Sequence, residues 1–218
     1  MKALSLLLPS TLVLLVCAAN IAVPGSSSHQ RTVLSRGFVT EGASIGDVNG
    51  DGHHDLVAGT HWHAGPDFKR SYRYYPGEAV NPKGYANSSF LRRLLDGTSD
   101  EAHAILEIAP GPAGPLVLYL QPEKGSEIEE WPKHRVVTSF GGESPHMTDV
   151  TGDGKPELVG LRKGVWGFYH ADWNEVTKPW SFHAISDDTK AGHYTHPHGV
   201  GDLNGDDRPE INWKEGWY

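Results

Sequence analysis

Short apolar segments recur along the chain, and each of them follows a stretch of acidic and small polar residues. Three of the apolar segments resemble one another, namely residues 56–59, 158–160 and 211–213. Their branched and aromatic residues favour β-strands. The chain also contains 26 Gly and 15 Pro, which is typical of many short strands joined by tight turns. The pattern therefore predicts an all-β protein.

The polar stretch before each of these segments is a nine-residue loop, and we name the three copies loop 1 (residues 47–55), loop 2 (149–157) and loop 3 (202–210). They share the frame D-x-[NT]-x-D-[GD]-x-x-[DE], which places side-chain oxygens at positions 1, 3, 5 and 9. Calcium takes six to eight oxygen ligands, and a loop that curls around the ion turns alternate side chains inward. Position 7 would contribute its backbone carbonyl, so its side chain is free to vary.

We therefore predict that calcium, or magnesium in the same loops, binds at three sites. The predicted ligands, with position 7 included for its carbonyl, are Asp47, Asn49, Asp51, His53 and Asp55, then Asp149, Thr151, Asp153, Lys155 and Glu157, and finally Asp202, Asn204, Asp206, Arg208 and Glu210.

These loops are not EF-hands, because an EF-hand needs a Glu at position 12 and helices on both sides. The corresponding residues here are Ala58, Gly160 and Trp213, and each loop leads into a predicted strand. Position 6 favours glycine because the turn is sharp, and Asp207 departs from this in loop 3. Aspartate can adopt the left-handed conformation, so loop 3 is weakened but not excluded.

A fourth, degenerate copy aligns at residues 107–117, where most of the oxygen ligands are missing, and we expect no metal there. The loop starts are then separated by 60, 42 and 53 residues, and spacings of this size indicate propeller blades. Residues 133–138 and 181–186 look like a repeated outer strand, and residues 30–35 look like the same element. No blade precedes residues 30–35, so we expect this strand to complete the last blade of a ring.

The motifs at residues 45–52, 147–154 and 200–206 resemble the FG-GAP/VCBS repeat family of integrin-type calcium-loop propellers. The resemblance implies a β-propeller over residues 31–218, with roughly three blades and part of a fourth, and a metal loop between the innermost and second strands of each blade. A closed ring normally has four to eight blades, so the ring is either truncated, which we favour, or closed by another chain. The family includes adhesion modules and lectin-like binders, and a similar propeller is part of some sugar lyases and aldos-2-ulose dehydratases.

By the family pattern, the segment before each loop lines a central channel. Six residues before the four loop starts stand Glu41, Glu101, Glu143 and His196. Equivalent positions on successive blades would form one tier at the same height in the channel. His103, His146 and His198 would lie two or three residues deeper in the channel. The candidate catalytic set is Glu101, His103, Glu143, His146, His196 and His198. Such residues could bind a second metal or act as general acid and base on a sugar, or they could simply cap strands and line the channel.

The leading functional hypothesis is a secreted calcium-binding propeller that recognises a carbohydrate or an extracellular protein without catalysis. The alternative is a sugar lyase or dehydratase that uses the channel set. The aromatic residues could stack on sugar rings, although packing between blades is the commoner role. His61 and His63 could form a zinc pair, although alternate residues of a strand face the same side in any case.

The first residues have the form of an export signal, with Lys2 before a largely apolar run. We assign residues 1–22 to the signal, with cleavage near Ala19, and residues 23–30 to a linker. An uncleaved anchor and lipoprotein attachment through Cys17 are the alternatives. We expect a secreted or extracytoplasmic protein, at the periplasm or cell surface, with no membrane span after the signal is removed. The net charge of −8 argues against a nucleic-acid partner.

Overall fold

The structure is a computed structural model that describes residues 31–77, 83–84, 86, 90–95, 103–108, 114–122, 129–195 and 199–218, with the backbone alone for 90–95, 103 and 143. The chain divides into two units, residues 1–33 and 34–218, and every element below belongs to the second unit. The predicted signal and linker lie outside the described residues. No helix in the described part of the chain is long and apolar enough to cross a bilayer.

Antiparallel β-sheets account for all the regular structure of the described residues, so the all-β prediction is confirmed. Sheets 1 to 3 have four strands each and sheet 4 has three, and in every sheet the strands lie in chain order. Sheet 1 contains β1 (Ala43–Gly46), β2 (Asp55–Ala58), β3 (His61–His63) and β4 (Ser71–Arg73). Sheet 2 contains β5 (Phe90–Leu95), β6 (His103–Ile108), β7 (Leu116–Leu120) and β8 (Lys133–Val137). Sheet 3 contains β9 (Gly141–Thr148), β10 (Glu157–Arg162), β11 (Val165–His170) and β12 (Ser181–Asp188). Sheet 4 contains β13 (Gly199–Gly201), β14 (Glu210–Trp213) and β15 (Gly216–Trp217).

Consecutive sheets pack face to face. Successive side chains of a strand point to opposite faces of its sheet, and the inner strands carry apolar residues on both faces. On β6, Ile105 enters the core between sheets 1 and 2, whereas Ala104 and Leu106 enter the core between sheets 2 and 3. On β10, Leu158 faces sheet 2, and Val159 faces sheet 4. Each of these strands therefore contributes to two cores.

The three cores are rich in buried aromatic side chains, as the packing interpretation of the aromatic residues predicted. The first core joins sheets 1 and 2 through Val57, Trp62, Tyr74, Ile105, Tyr119 and Trp131. The second joins sheets 2 and 3 through Leu106, Leu116, Leu118, Leu158, Tyr169, Trp173 and Trp180. The third joins sheets 3 and 4 through Val159, Leu161, Trp166, Ile211 and Trp213.

The predicted loops occupy one topological position in three of the sheets. Loop 1 joins β1 to β2, loop 2 joins β9 to β10, and loop 3 joins β13 to β14, so each connects the first strand of a sheet to the second. The outer strands predicted at 133–138 and 181–186 are confirmed, because β8 and β12 are the fourth strands of their sheets. Residues 31–35 form no strand, so the predicted outer strand is wrong over the described part of that segment.

The degenerate fourth copy at residues 107–117 is not a counterpart of the three loops. It spans the turn from β6 to β7, the second and third strands of sheet 2. The true counterpart is the connection from β5 to β6, residues 96–102, which lies outside the described residues. Residues 107–117 align with residues 149–159, which are loop 2 and the two residues after it, because both segments have the same length and end in Leu-Val.

Candidate metal-binding loops

The three loops share one hydrogen-bond scaffold, and its first part is the carboxylate at position 1. In each loop this carboxylate accepts hydrogen bonds from the backbone N–H groups of positions 5 and 6 at 2.8–3.2 Å. The position 5 carboxylate in turn accepts the N–H of position 7 at 2.8–3.0 Å. These bonds close the loop on itself and direct the oxygens of alternate residues inward. The carboxylates concerned are Asp47, Asp149 and Asp202 at position 1 and Asp51, Asp153 and Asp206 at position 5.

Position 9 carries a carboxylate that is buried beneath the loop, with Asp55 and Glu157 fully buried and Glu210 only 6% exposed. In all three loops it accepts the backbone N–H of position 2 at 2.7–2.8 Å. A buried carboxylate is costly unless it is hydrogen-bonded, so these contacts are a structural requirement. The sequence indicated only a metal ligand at position 9, whereas the structure shows that it also connects the second strand to the start of the loop.

Backbone conformation explains the residue choice at positions 4 and 6. Both positions are left-handed in every loop, and the glycines there have φ between +68° and +87°. A β-carbon at Gly52 or Gly154 would meet no atom within 4 Å, so conformation rather than crowding selects glycine. Asp207 holds position 6 of loop 3 at φ +64°, the left-handed conformation that aspartate can adopt.

Loops 1 and 2 differ in the second partner of the position 9 carboxylate. In loop 1, Asp55 accepts the backbone N–H of Gly65 at 2.8 Å. In loop 2, the longer side chain of Glu157 lies 3.1 Å from Nδ1 of His170, which follows from the pairing of β10 with β11. His170 is not among the predicted ligands, because its proximity to the loop depends on strand pairing rather than on the repeat.

Around loop 2, the structure brings together three possible ligands from two strands and a loop. Oxygens of Asp153 and Glu157 and a ring nitrogen of His170 all lie within 4.8 Å of one another. No other group of three or more such side chains is that close in the described part of the chain. An open cavity of about 490 Å³ adjoins this group and is lined also by Asp172, Trp173 and Lys178.

Hydrogen bonding favours the ionised form of two loop carboxylates, Asp51 in loop 1 and Asp202 in loop 3. The His53 N–H and then the Asn49 amide hold the pKa of Asp51 below its ordinary value. The Gly205 N–H does the same most strongly for the pKa of Asp202. Ionised oxygens are what a hard cation such as calcium requires, so these two side chains suit the predicted ion.

The candidate channel set is described only in part. Glu101, His196 and His198 lie outside the described residues, as do the side chains of His103 and Glu143. His146 lies half-buried on β9, a first strand, opposite Val159 of β10. His103 lies on β6, a second strand. His103 and His146 therefore occupy different strand positions in their sheets, because sheet 2 contains an additional strand, β5, before β6. The tier itself stays a prediction, since most of its side chains lie outside the described residues.

His61 and His63, the predicted zinc pair, lie on the same strand, with ring centroids 6.5 Å apart. Burial lowers the pKa of both imidazoles, and the Thr60 hydroxyl lies 2.8 Å from Nδ1 of His61. The neutral imidazole form thus favoured is the form that binds metals, but no third ligand joins the pair among the described residues.

Comparison with known proteins adds no relative: no family model matches the chain, and no curated protein matches it either.

Proposed function

We propose that this chain is a secreted, calcium-stabilised β-propeller of the FG-GAP/VCBS type that recognises a carbohydrate or an extracellular protein. One observation carries the proposal, namely the common hydrogen-bond scaffold of the three loops at the same topological position in sheets 1, 3 and 4. Three copies of one loop in three sheets indicate a repeated blade, and the contacts of β1 with β5 and of β9 with β13 place neighbouring first strands together, as the innermost strands of a propeller are.

Calcium fits the residues of the loops on chemical grounds. Positions 1, 3 and 5 offer only carboxylate, amide and hydroxyl oxygens, which are the ligands that calcium prefers. Each carboxylate has about four lone-pair directions, so an oxygen that accepts a backbone N–H keeps capacity for an ion. Asp47, Asn49, Asp51 and the buried Asp55 would hold the ion in loop 1, and the corresponding residues would hold it in loops 2 and 3. The bound ion would offset the repulsion between these carboxylates.

Calcium removal tests the proposal directly. A ligand at about 100 times its Kd stabilises a protein by about 2.7 kcal/mol per site. Three such sites amount to about 8 kcal/mol, so we expect EDTA to lower the Tm of the full chain by about 15–30 °C, because each kcal/mol shifts a domain of this size by about 2–4 °C. Added calcium should restore the Tm. A melting curve that EDTA leaves unchanged would contradict the role of calcium.

A pair of matched variants assigns the effect to a loop. Asp51→Asn removes a charged ligand from loop 1 and should reduce the response to EDTA by about one third, since three similar loops share it. Asp67→Asn is the control, because Asp67 is an exposed aspartate between β3 and β4 that pairs with Lys69 and lies outside the loops. If both variants respond to EDTA as the natural chain does, loop 1 does not bind the ion.

Ligand recognition requires its own measurement. The fluorescently labelled full chain should bind specific members of a glycan array or a panel of extracellular matrix proteins in calcium, and this binding should weaken in EDTA. Binding to neither set in calcium would overturn the recognition part of the proposal and leave the calcium part standing.

A further inference from the structure

A second cavity lies between sheets 1 and 2, away from the three loops. Its volume is about 450 Å³, within the range of pockets that hold small molecules. Aromatic side chains form much of its wall, from Tyr75 after β4, Tyr119 on β7 and Trp131 before β8. Glu130 and Lys133 also line it and are exposed, so the cavity is accessible from solvent.

Glu107 places a carboxylate in this wall. It lies two residues after Ile105 on β6 and therefore faces sheet 1, where it is only 5% exposed. The Tyr75 hydroxyl donates to its Oε1 at 3.3 Å, and the Tyr119 hydroxyl donates to it as well. Burial raises the pKa of Glu107, and these two hydrogen bonds together with the nearby Lys133 charge act against that rise.

The carboxylate of Glu107 differs from most buried charges in its partners among the described residues, where Lys133 is a nearby charge but not an ion-pair partner. Among the residues that the structure describes, none forms an ion pair with it. Buried carboxylates are normally paired with a cation or accept several backbone N–H groups, whereas in the described part of the chain Glu107 accepts hydrogen bonds from two tyrosine hydroxyls. The site thus has a negative charge that a ligand could neutralise.

The aromatic rings around Glu107 favour the same kind of ligand. The Tyr75 and Tyr119 rings are stacked, with centroids 5.2 Å apart and planes inclined by 21°. Tyr74 packs edge-on against Tyr119 and at 5.6 Å from Trp131, so the rings form one continuous cluster. The faces of such rings attract organic cations by about 0.5–2 kcal/mol each, depending on how fully the site excludes water.

From this geometry we propose that the cavity between sheets 1 and 2 binds a small organic ammonium ion, with Glu107 as the counter-ion and Tyr75, Tyr119 and Trp131 as the aromatic wall. The lining carries two carboxylates against the single ammonium of Lys133, so a monovalent cation balances the charge of the site. A neutral sugar would stack on the same rings but would leave the Glu107 charge uncompensated. The proposal is independent of calcium and of the propeller assignment.

Choline and its neutral analogue 3,3-dimethylbutan-1-ol test this proposal, because the two molecules differ in charge and hardly in shape. Isothermal titration of the full chain, with calcium present, should show saturable binding of choline and at least about tenfold weaker binding of the alcohol. Equal binding of the two compounds, or no saturable binding of choline, would overturn the proposal. Binding of a neutral sugar such as methyl glucoside in preference to choline would overturn it in favour of a carbohydrate site.

Two variants assign the binding to this cavity. Glu107→Gln keeps the shape and removes the charge, and it should weaken choline binding about tenfold or more. Glu175→Gln is the matched control, since Glu175 is an exposed residue near sheet 3 that pairs with Lys178; it should leave binding unchanged. Tyr75→Phe serves if Glu107→Gln does not fold, and a reduction of about two- to threefold is expected from the lost hydroxyl. Unchanged affinity in a folded Glu107→Gln or in Tyr75→Phe would contradict the assignment.

An ammonium group can come from a free metabolite or from a lipid headgroup. Titration with free choline and sedimentation with phosphatidylcholine vesicles distinguish these sources. Binding of choline without co-sedimentation identifies a free ligand, and co-sedimentation that Glu107→Gln abolishes identifies a headgroup. Either result supports the site, and co-sedimentation that persists in Glu107→Gln counts against it.

Discussion

Two regions of the molecule bury a carboxylate in opposite ways. Beneath loops 1 and 2, Asp55 and Glu157 are fully buried and accept two or more backbone N–H groups each. In the cavity between sheets 1 and 2, Glu107 is almost as buried, and its hydrogen-bond partners among the described residues are tyrosine hydroxyls. The first arrangement fixes the fold, whereas the second leaves a charge for a ligand to satisfy. Burial alone therefore does not show whether a carboxylate holds parts of the fold together, as Asp55 and Glu157 do with or without a bound ion, and its hydrogen-bond partners do.

The largest effect is expected from truncation of the structural carboxylates. Asp55→Ala leaves the N–H groups of Val48, Asn49 and Gly65 without their acceptor and should cost about 3 kcal/mol of the free energy of unfolding. Glu157→Ala should cost about as much. Urea denaturation in EDTA measures this loss separately from any lost metal, with Asp67→Ala as a control expected within about 0.5 kcal/mol of the natural chain. A loss below about 1 kcal/mol would show that water replaces the carboxylate at little cost.

At Glu107, in contrast, we expect removal of the charge to raise the free energy of unfolding. Burial holds its folded pKa above the ordinary value of 4.5, so the fold resists ionisation of this group. The resulting penalty is absent below about pH 4, where Glu107 is protonated in both states, and it is fully present above the folded pKa. Glu107→Gln should therefore raise the stability at pH 7 by up to about 1 kcal/mol and leave it unchanged near pH 4.

The pH dependence also depends on the other charged and titratable groups that line the cavity or interact with Glu107. These are Tyr74, Tyr75, Tyr119, Glu130 and Lys133. Burial also raises the pKa of Tyr74 and Tyr119, so the hydroxyls remain neutral donors throughout the range. Thermal melts of both proteins from pH 4 to pH 8 provide the measurement. A Glu107→Gln variant that is less stable at pH 7 would show that Glu107 acts as a structural carboxylate, like Asp55.

The smallest change in stability is expected from substitutions at position 6, where loops 2 and 3 differ. Asp207 is a non-glycine residue in the left-handed conformation, where its counterpart in loop 2 is Gly154. Asp207→Gly should stabilise the chain by about 0.5 kcal/mol, and Gly154→Asp should destabilise it by a similar amount. Differential scanning calorimetry in EDTA resolves shifts of this size. The same sign for both variants would show that conformation does not govern position 6.

The loops could be predicted from the sequence because each of them is one continuous segment. Nine consecutive residues contain both the oxygens and the glycines that set the turn, so loops 1 and 2 could be located without any knowledge of strand pairing. The fourth strands at β8 and β12 were predictable for the same reason, since each is one continuous segment with a repeated pattern.

The remaining features depend on contacts between distant segments. His170 reaches Glu157 only through the pairing of β10 with β11, and Glu107 meets Tyr75 only because sheets 1 and 2 pack together. The assignment of residues 107–117 was wrong because length and a Leu-Val ending do not reveal how many strands precede a turn. The additional strand, β5, contains Arg92 and Arg93 and carries no acidic motif that could identify its place.

The alternation along β6 has a consequence for the fidelity of folding. Because neighbouring residues of this strand belong to different cores, a slip of one residue against β5 or β7 would exchange the contents of both cores at once. Glu107 would then carry its charge into the apolar core shared with sheet 3, and Leu106 would replace it beside the tyrosines. Packing in both adjacent cores therefore disfavours a shifted register of β6, so the native register is specified from the two faces of the strand independently.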